Sequence, residues 1–118
     1  MKGDNIADRL LSFGANAIRL STRLPKEPVG HHVALQLARC ATSGGANYDE
    51  ARRAESRKDF VHRVQIAAKE MGETIYWLKL AQRAELIDCD IEAMVREATE
   101  LTSILAASAK TARARARS

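Results

Sequence analysis

From Asp59 to Leu80 the apolar side chains return on a helical period: Phe60, Val64, Ala67, Met71, Ile75 and Leu78 form one continuous stripe. A stripe of that length, stepping by three and four, fits a core-facing helix and fits no strand. On the far side Ile66, Trp77 and Leu80 share a face with Asp59, Glu70 and Glu73. A surface helix of a small monomer is polar there, so this helix is expected to be contacted twice, by its own bundle and by another subunit. A neighbouring loop is the other cover open to Trp77. Under the subunit reading, Trp77→Ala weakens assembly more than folding.

The preceding segment pairs a polar row with an apolar one. Gln36, Arg39, Ser43, Asn47 and Glu50 recur at intervals of three and four, beside Val33, Leu37, Ala41, Gly44, Tyr48 and Ala51. Buried polar groups need partners, so Arg39, Asn47 and Glu50 are expected to satisfy one another or Glu70 and Glu73 on a packed neighbour helix. A solvated face is the alternative, and it is stronger for Gln36. Arg39→Ala and Glu50→Ala are both expected to destabilise.

Three linked motifs carry a resemblance. S-G-G-A-N-Y-D-E-A (Ser43 to Ala51), S-x-K-D-F (Ser56 to Phe60) and K-E-x-x-E-T-x-Y-W-L (Lys69 to Leu78) are similar to the bacterial four-helix-bundle family first met as proteins encoded by 23S ribosomal RNA intervening sequences. That family includes the accessory variability determinants of diversity-generating retroelements. The resemblance runs from Ile6 to Leu105, with one departure: Gly44 stands where the family commonly has a larger apolar or β-branched residue, which predicts closer packing or a kink. It implies an all-α, antiparallel up-and-down four-helix bundle in a ring-like homo-oligomer, a homopentamer, with the second and third helices near the subunit contacts. It also implies a nucleic-acid-binding accessory role.

Taken in order, the chain predicts helices over residues 5–24, 29–54, 57–84 and 89–109, a bundle of residues 1–109, and a basic tail of residues 110–118. Asp4 is expected to cap the first helix, and Pro25 and Pro28 break the chain after it. Ser56 with Asp59 resembles a capping box, and Asp88 is the expected cap of the last helix. Gly44-Gly45 interrupts the second helix locally, and because the apolar phase is kept from Leu37 to Tyr48 a single kinked helix is expected in preference to a turn. His31 and His32 read as surface residues. Beyond Ala109 large apolar residues run out, and fraying is expected.

Charge locates the candidate ligand surface. The formal charge is +4, and Lys110, Arg113, Arg115 and Arg117 carry all of it, leaving the body neutral. These four, with Arg19, Arg23, Arg52, Arg53, Arg57 and Lys58, are the candidate phosphate contacts; symmetry in a ring would multiply a weak patch into a strong one. Tyr48 and Tyr76 are read as packed inside, so base stacking is not expected and binding is expected to have low sequence specificity. Arg39, Asn47, Glu50, Glu70, Glu73, Tyr76 and Trp77 form the structural and interface set. A scaffold that binds a protein partner, such as a reverse transcriptase, is the alternative.

Catalytic and metal patterns are missing from the sequence. A bundle that holds a carboxylate-bridged metal needs Glu-x-x-His on two helices, and Asp59-x-x-His62 is the nearest match, so no metal or cofactor is expected. No phosphate-binding glycine loop or credible nucleophile and histidine pair is seen, so no enzyme is expected. Glu70 and Glu73 read as ion-pair partners in preference to an acid/base pair. Cys40 and Cys89 lack metal or redox spacing and read as reduced cytoplasmic thiols. No apolar run is long enough to span a membrane.

Overall fold

The computed structural model describes residues 3–117, the side chain of Arg117 excepted. Four helices account for nearly all of it: α1 (Asp4–Ser21), α2 (Pro28–Arg52), α3 (Arg57–Arg83) and α4 (Glu92–Arg117), with no strand among the described residues. They pack as a bundle, α1 on α2, α2 on α3 and α3 on α4, closed by a narrow seam between α1 and α4. Short turns force each helix to run back along its predecessor. The α2–α3 turn, the start of α1 and the end of α4 therefore meet at one end, and the α1–α2 and α3–α4 turns meet at the other.

One face of each helix is buried by residues whose spacing announces it. Leu10, Phe13, Ala17 and Leu20 of α1 meet Leu37, Ala41, Tyr48 and Ala51 of α2, Val64, Ala67, Met71 and Leu78 of α3, and Ala98, Leu101, Leu105 and Ala109 of α4. Each fully buried leucine contributes roughly 1.5–3 kcal/mol relative to exposure. The stripe on α3 is rotated slightly from its expected line. Val61, Thr74 and Ala81 are buried, whereas Phe60 and Ile75 are only half-buried, and the Thr74 hydroxyl is satisfied by the Glu70 carbonyl at 2.8 Å.

Helix α2 runs unbroken through Gly44-Gly45. A Cβ at Gly44 would stand 2.6 Å from the Met71 sulfur, so the missing side chain is the space that Met71 fills. The close-packing reading of this departure is the one that fits.

The helix ends depart from expectation at three places. Helix α1 starts at Asp4 itself, after Gly3 in a left-handed conformation; Asp4 makes no cap and instead pairs with Arg52. Helix α1 stops at Ser21 because Pro25 disfavours helical geometry at Leu24, and residues 22–24 close as a tight turn. Helix α4 starts at Glu92, whose amide is taken by Asp90 at 2.9 Å; Asp88 is exposed and faces Arg23. The Ser56 cap forms as the sequence suggests, accepting the Asp59 amide at 3.0 Å. At the end of α3 the Leu86 amide reaches the Ala81 carbonyl and the Glu85 amide reaches that of Gln82, a Schellman closure in which Glu85 occupies positive φ.

The largest correction concerns the tail, which is helical to Arg117 within α4. Ala109 and Ala112 are buried, so the seam continues on small residues. Alternating alanine and arginine has high helix propensity, and cations near a helix C-terminus are favoured by its dipole.

Arg9 clamps the α1–α4 seam. Its Nε and Nη2 donate to the two Glu97 oxygens at 3.0 and 2.6 Å, and Glu100 lies 3.1 Å away. The hydrogen bond from Arg9 holds the Glu97 carboxyl below its ordinary value of 4.5. A depressed acid stabilises the fold above its unfolded pKa and loses that contribution as pH falls through the folded value. Thermal melts between about pH 6 and pH 3 should therefore show the parent losing stability that Glu97→Gln does not lose, by about 1 kcal/mol. Parallel losses in both proteins would remove Glu97 from the acid transition.

Candidate nucleic-acid interface

Chain reversal sorts the candidate cations into two groups. Arg52 and Arg53 close α2, Arg57 and Lys58 open α3, and Lys110, Arg113 and Arg115 lie on the last turns of α4, all at one end. Arg19 and Arg23 lie toward the other end of the bundle: Arg19 stands 15 residues along α1 from Asp4, the partner of Arg52, or about 22 Å at helical rise. The Arg117 side chain lies outside the described residues.

Their pairing differs as much as their position. Arg53 is held by Asp49 at 2.5 Å and Glu50 at 3.0 Å, and Arg52 by Asp4. Arg19 bonds Asn16, and Arg23 stands 3.5 Å from Asp88. Arg57, Lys58, Lys110 and Arg113 have no acidic partner among the described residues, and all but Arg113 are exposed. Arg52, Arg57 and Arg115 share the wall of one open cavity of about 880 Å³.

The polar row on α2 forms a network with α3 at its centre. Arg39 donates to Glu70 at 3.1 Å and to Glu73 at 2.6 Å, while its Nε reaches Gln36 at 3.3 Å. The Cys40 thiol donates to Glu73 at 2.8 Å, and the Trp77 indole N–H donates to the same oxygen at 3.2 Å. The thiol and indole hydrogen bonds, in that order, hold the Glu73 carboxyl below its ordinary range. Burial first, and Glu73 second, push the Cys40 thiol up to about 12.

Cys40, Glu70 and Glu73 present ligand atoms within 4.8 Å of one another, the one such group among the described residues. A metal ion there would have to displace Arg39 from both carboxylates and deprotonate a strongly disfavoured thiol. The donor set suits an internal ion pair better than a cation site.

Asn47 and Glu50 part from this network. Asn47 donates to the Ser43 carbonyl at 2.9 Å and accepts from Arg63 at 3.4 Å. Glu50 is exposed and pairs with Arg53 three residues on, at the outer edge of its row. Its expected role as a buried partner is corrected accordingly. Arg39→Ala should cost about 1–2 kcal/mol, since it leaves half-buried carboxylates uncompensated, and Glu50→Ala less than about 0.5 kcal/mol. Urea melts with matched slopes check the pair, and equal losses would overturn the distinction.

Two aromatic residues also sit differently from expectation. Tyr76 is 59% exposed, because two residues from the buried Leu78 a helix has turned to its opposite side. Trp77 is half-buried within its own chain, against both core clusters, with the His32 ring edge-on at 5.8 Å. Its loss should therefore be felt in folding, not in assembly alone.

Sequence reasoning passed over one flank. Leu11 and Ile18 of α1 and Val29 and Leu35 of α2 are exposed, and an apolar groove between the two helices is lined by Leu11, Ala15, Ile18, Thr42 and Ala46. The seven-residue interval from Leu11 to Ile18, opposite the core stripe, was the available signal.

Residues 5–107 match the family described as 23S rRNA-intervening sequence protein. Among solved structures, the chain is similar to a protein of unknown function from the S23 ribosomal protein family of Bacteroides thetaiotaomicron. The two are 36% identical with a TM-score of 0.84, over 93% of this chain and 99% of that one. No curated protein matches the chain. Among the described residues no helix is long and apolar enough to cross a membrane.

Proposed function

The chain belongs to the 23S rRNA-intervening sequence protein family, and from that premise we propose a non-enzymatic, oligomeric accessory protein that binds RNA or DNA with low sequence specificity. One observation carries the reading: cations from α2, α3 and α4 gather at one end of the bundle, and Arg57, Lys58, Lys110 and Arg113 have no acidic partner among the described residues. Unpaired cations on rigid helix ends suit phosphate, whose condensed counterions are released on binding. Tyr76 is exposed but stands 19 residues from Arg57 along α3, about 28 Å away at helical rise, so it is out of place to stack bases of a strand held at that end. Backbone contact without base readout gives low specificity.

The exposed flank of Leu11, Ile18 and Leu35 supports self-association into a ring, for which we propose a homopentamer. A ring would present five basic ends together and raise avidity without new contacts. The same flank favours a second reading, a scaffold that docks a protein partner such as a reverse transcriptase.

Fluorescence anisotropy of labelled structured RNA and duplex DNA, titrated against salt, tests the first reading. Affinity should fall linearly with salt on logarithmic axes. Absence of binding to both ligands at low salt would overturn it in favour of the scaffold.

A further inference from the structure

Arg52, Arg57 and Arg115 line one open cavity of about 880 Å³ at the basic end of the bundle. The volume lies in the range of small-molecule sites, roughly 300–1,000 Å³, and far exceeds what a bare ion fills. We propose that this cavity binds a phosphomonoester carried on an organic group, as in a mononucleotide or at the phosphorylated end of a strand.

Three different helices supply the cations, so the convergence is a product of the fold. Arg52 already holds Asp4, but a guanidinium has five N–H donors and one carboxylate leaves several unused. Arg57 is the first residue of α3, and the amides of Arg57 and Lys58 have no acceptor within the helix. Ser56 satisfies only the Asp59 amide, so a helix N-terminus with its partial positive charge opens beside the arginines.

Tyr48 supplies the observation that points to a ligand. The residue is 8% exposed, yet its hydroxyl lies on the cavity wall with no hydrogen-bond partner among the described residues. The hydroxyl opens to solvent, since no buried side-chain polar atom among the described residues lacks a partner, and an oxygen of a bound phosphate would take the place of water on it. Gly3 keeps that hydroxyl accessible: a Cβ at this position would stand 2.7 Å from the oxygen and cover it.

The remaining wall suits the group that carries the phosphate. Half-buried Phe60 offers apolar surface, and Glu55, the one acid in the lining, offers an acceptor for a sugar hydroxyl. Three guanidinium groups and a helix N-terminus favour a dianion over a singly charged diester, and planar guanidinium forks match its oxygens. The site shares Arg57 and Arg115 with the candidate strand contacts, and a mononucleotide needs only the cations that line the cavity.

Isothermal titration calorimetry of the full chain tests the proposal with adenosine 5′-monophosphate, adenosine and inorganic phosphate. The monophosphate should bind about tenfold or more tightly than either fragment. Tyr48→Phe and Arg57→Gln should each weaken it about five- to tenfold, with the melting temperature nearly unchanged. Adenosine binding as well as its monophosphate, unaltered affinity in both variants, or no heat with the monophosphate would each overturn the site. A 5′-phosphorylated trinucleotide measured against its 5′-hydroxyl counterpart separates the two sources. Tighter capture of the phosphorylated strand than of the mononucleotide supports strand ends, and the reverse supports free nucleotides.

Discussion

Gly30→Ala is expected to destabilise the bundle by about 3 kcal/mol, lowering the melting temperature by about 10 °C. Gly30 is the third residue of α2, and a Cβ there would stand 2.3 Å from the Pro25 carbonyl oxygen and 3.1 Å from its carbon. The obstacle is backbone, so no side-chain rotation relieves it. Retreat of the turn is also blocked, since Pro25 has a fixed φ and Leu24 beside it is buried in the cluster with Val33 and Ala81. Gly72 is the matched control. It lies inside α3 with its nearest neighbour, a Thr102 methyl, 4.0 Å from the added Cβ, and Gly72→Ala should stabilise by about 0.5–1 kcal/mol. Circular dichroism melts of the two variants check both signs. A Gly30→Ala protein as stable as its parent would show that the α1–α2 turn yields.

What the sequence could reveal followed from periodicity. Helical spacing fixes a face, so the buried rows of α1, α2 and α4 were legible residue by residue, and the demand that interior polar groups find partners pointed from Arg39 to Glu70 and Glu73. Glu50 obeys the same spacing and yet leaves the network, because Arg53 is a nearer partner three residues away. Tyr76 and Val61 expose the coarseness of a wheel: rotating the stripe of α3 by part of a residue step buries one and exposes the other.

The end of α4 was illegible for a different reason. Ala112 is too small to announce its burial in a sequence. Tail and turn are about 55 residues apart, so only the antiparallel path of the chain brings their cations together. The same holds for the cavity: Tyr48, Arg57 and Arg115 share no spacing that would mark them as one site. Arg19 and Arg23, grouped with the others by charge alone, are separated from them by most of the length of α1.

Replacing Lys110, Arg113, Arg115 and Arg117 together by glutamine should weaken duplex DNA binding about 4,000-fold near 0.1 M salt. If each cation meets one phosphate, the slope of log affinity against log salt falls by about 0.9 per charge, or about 3.6 in all. Extrapolated to 0.1 M, that slope is the stated loss. Folding should be spared, because glutamine is a good helix former and the buried Ala109 and Ala112 are untouched. Truncation at Ala109 would be a poorer experiment, since it removes Ala112 from the seam along with the charge. Arg19→Gln with Arg23→Gln removes two equal charges from the opposite end and should change affinity little if the strand lies on the α4 end. Equal losses per charge at both ends would mean a nonspecific field around the whole bundle, and a quadruple variant that binds like its parent would move the contact to Arg57 and Lys58 on α3.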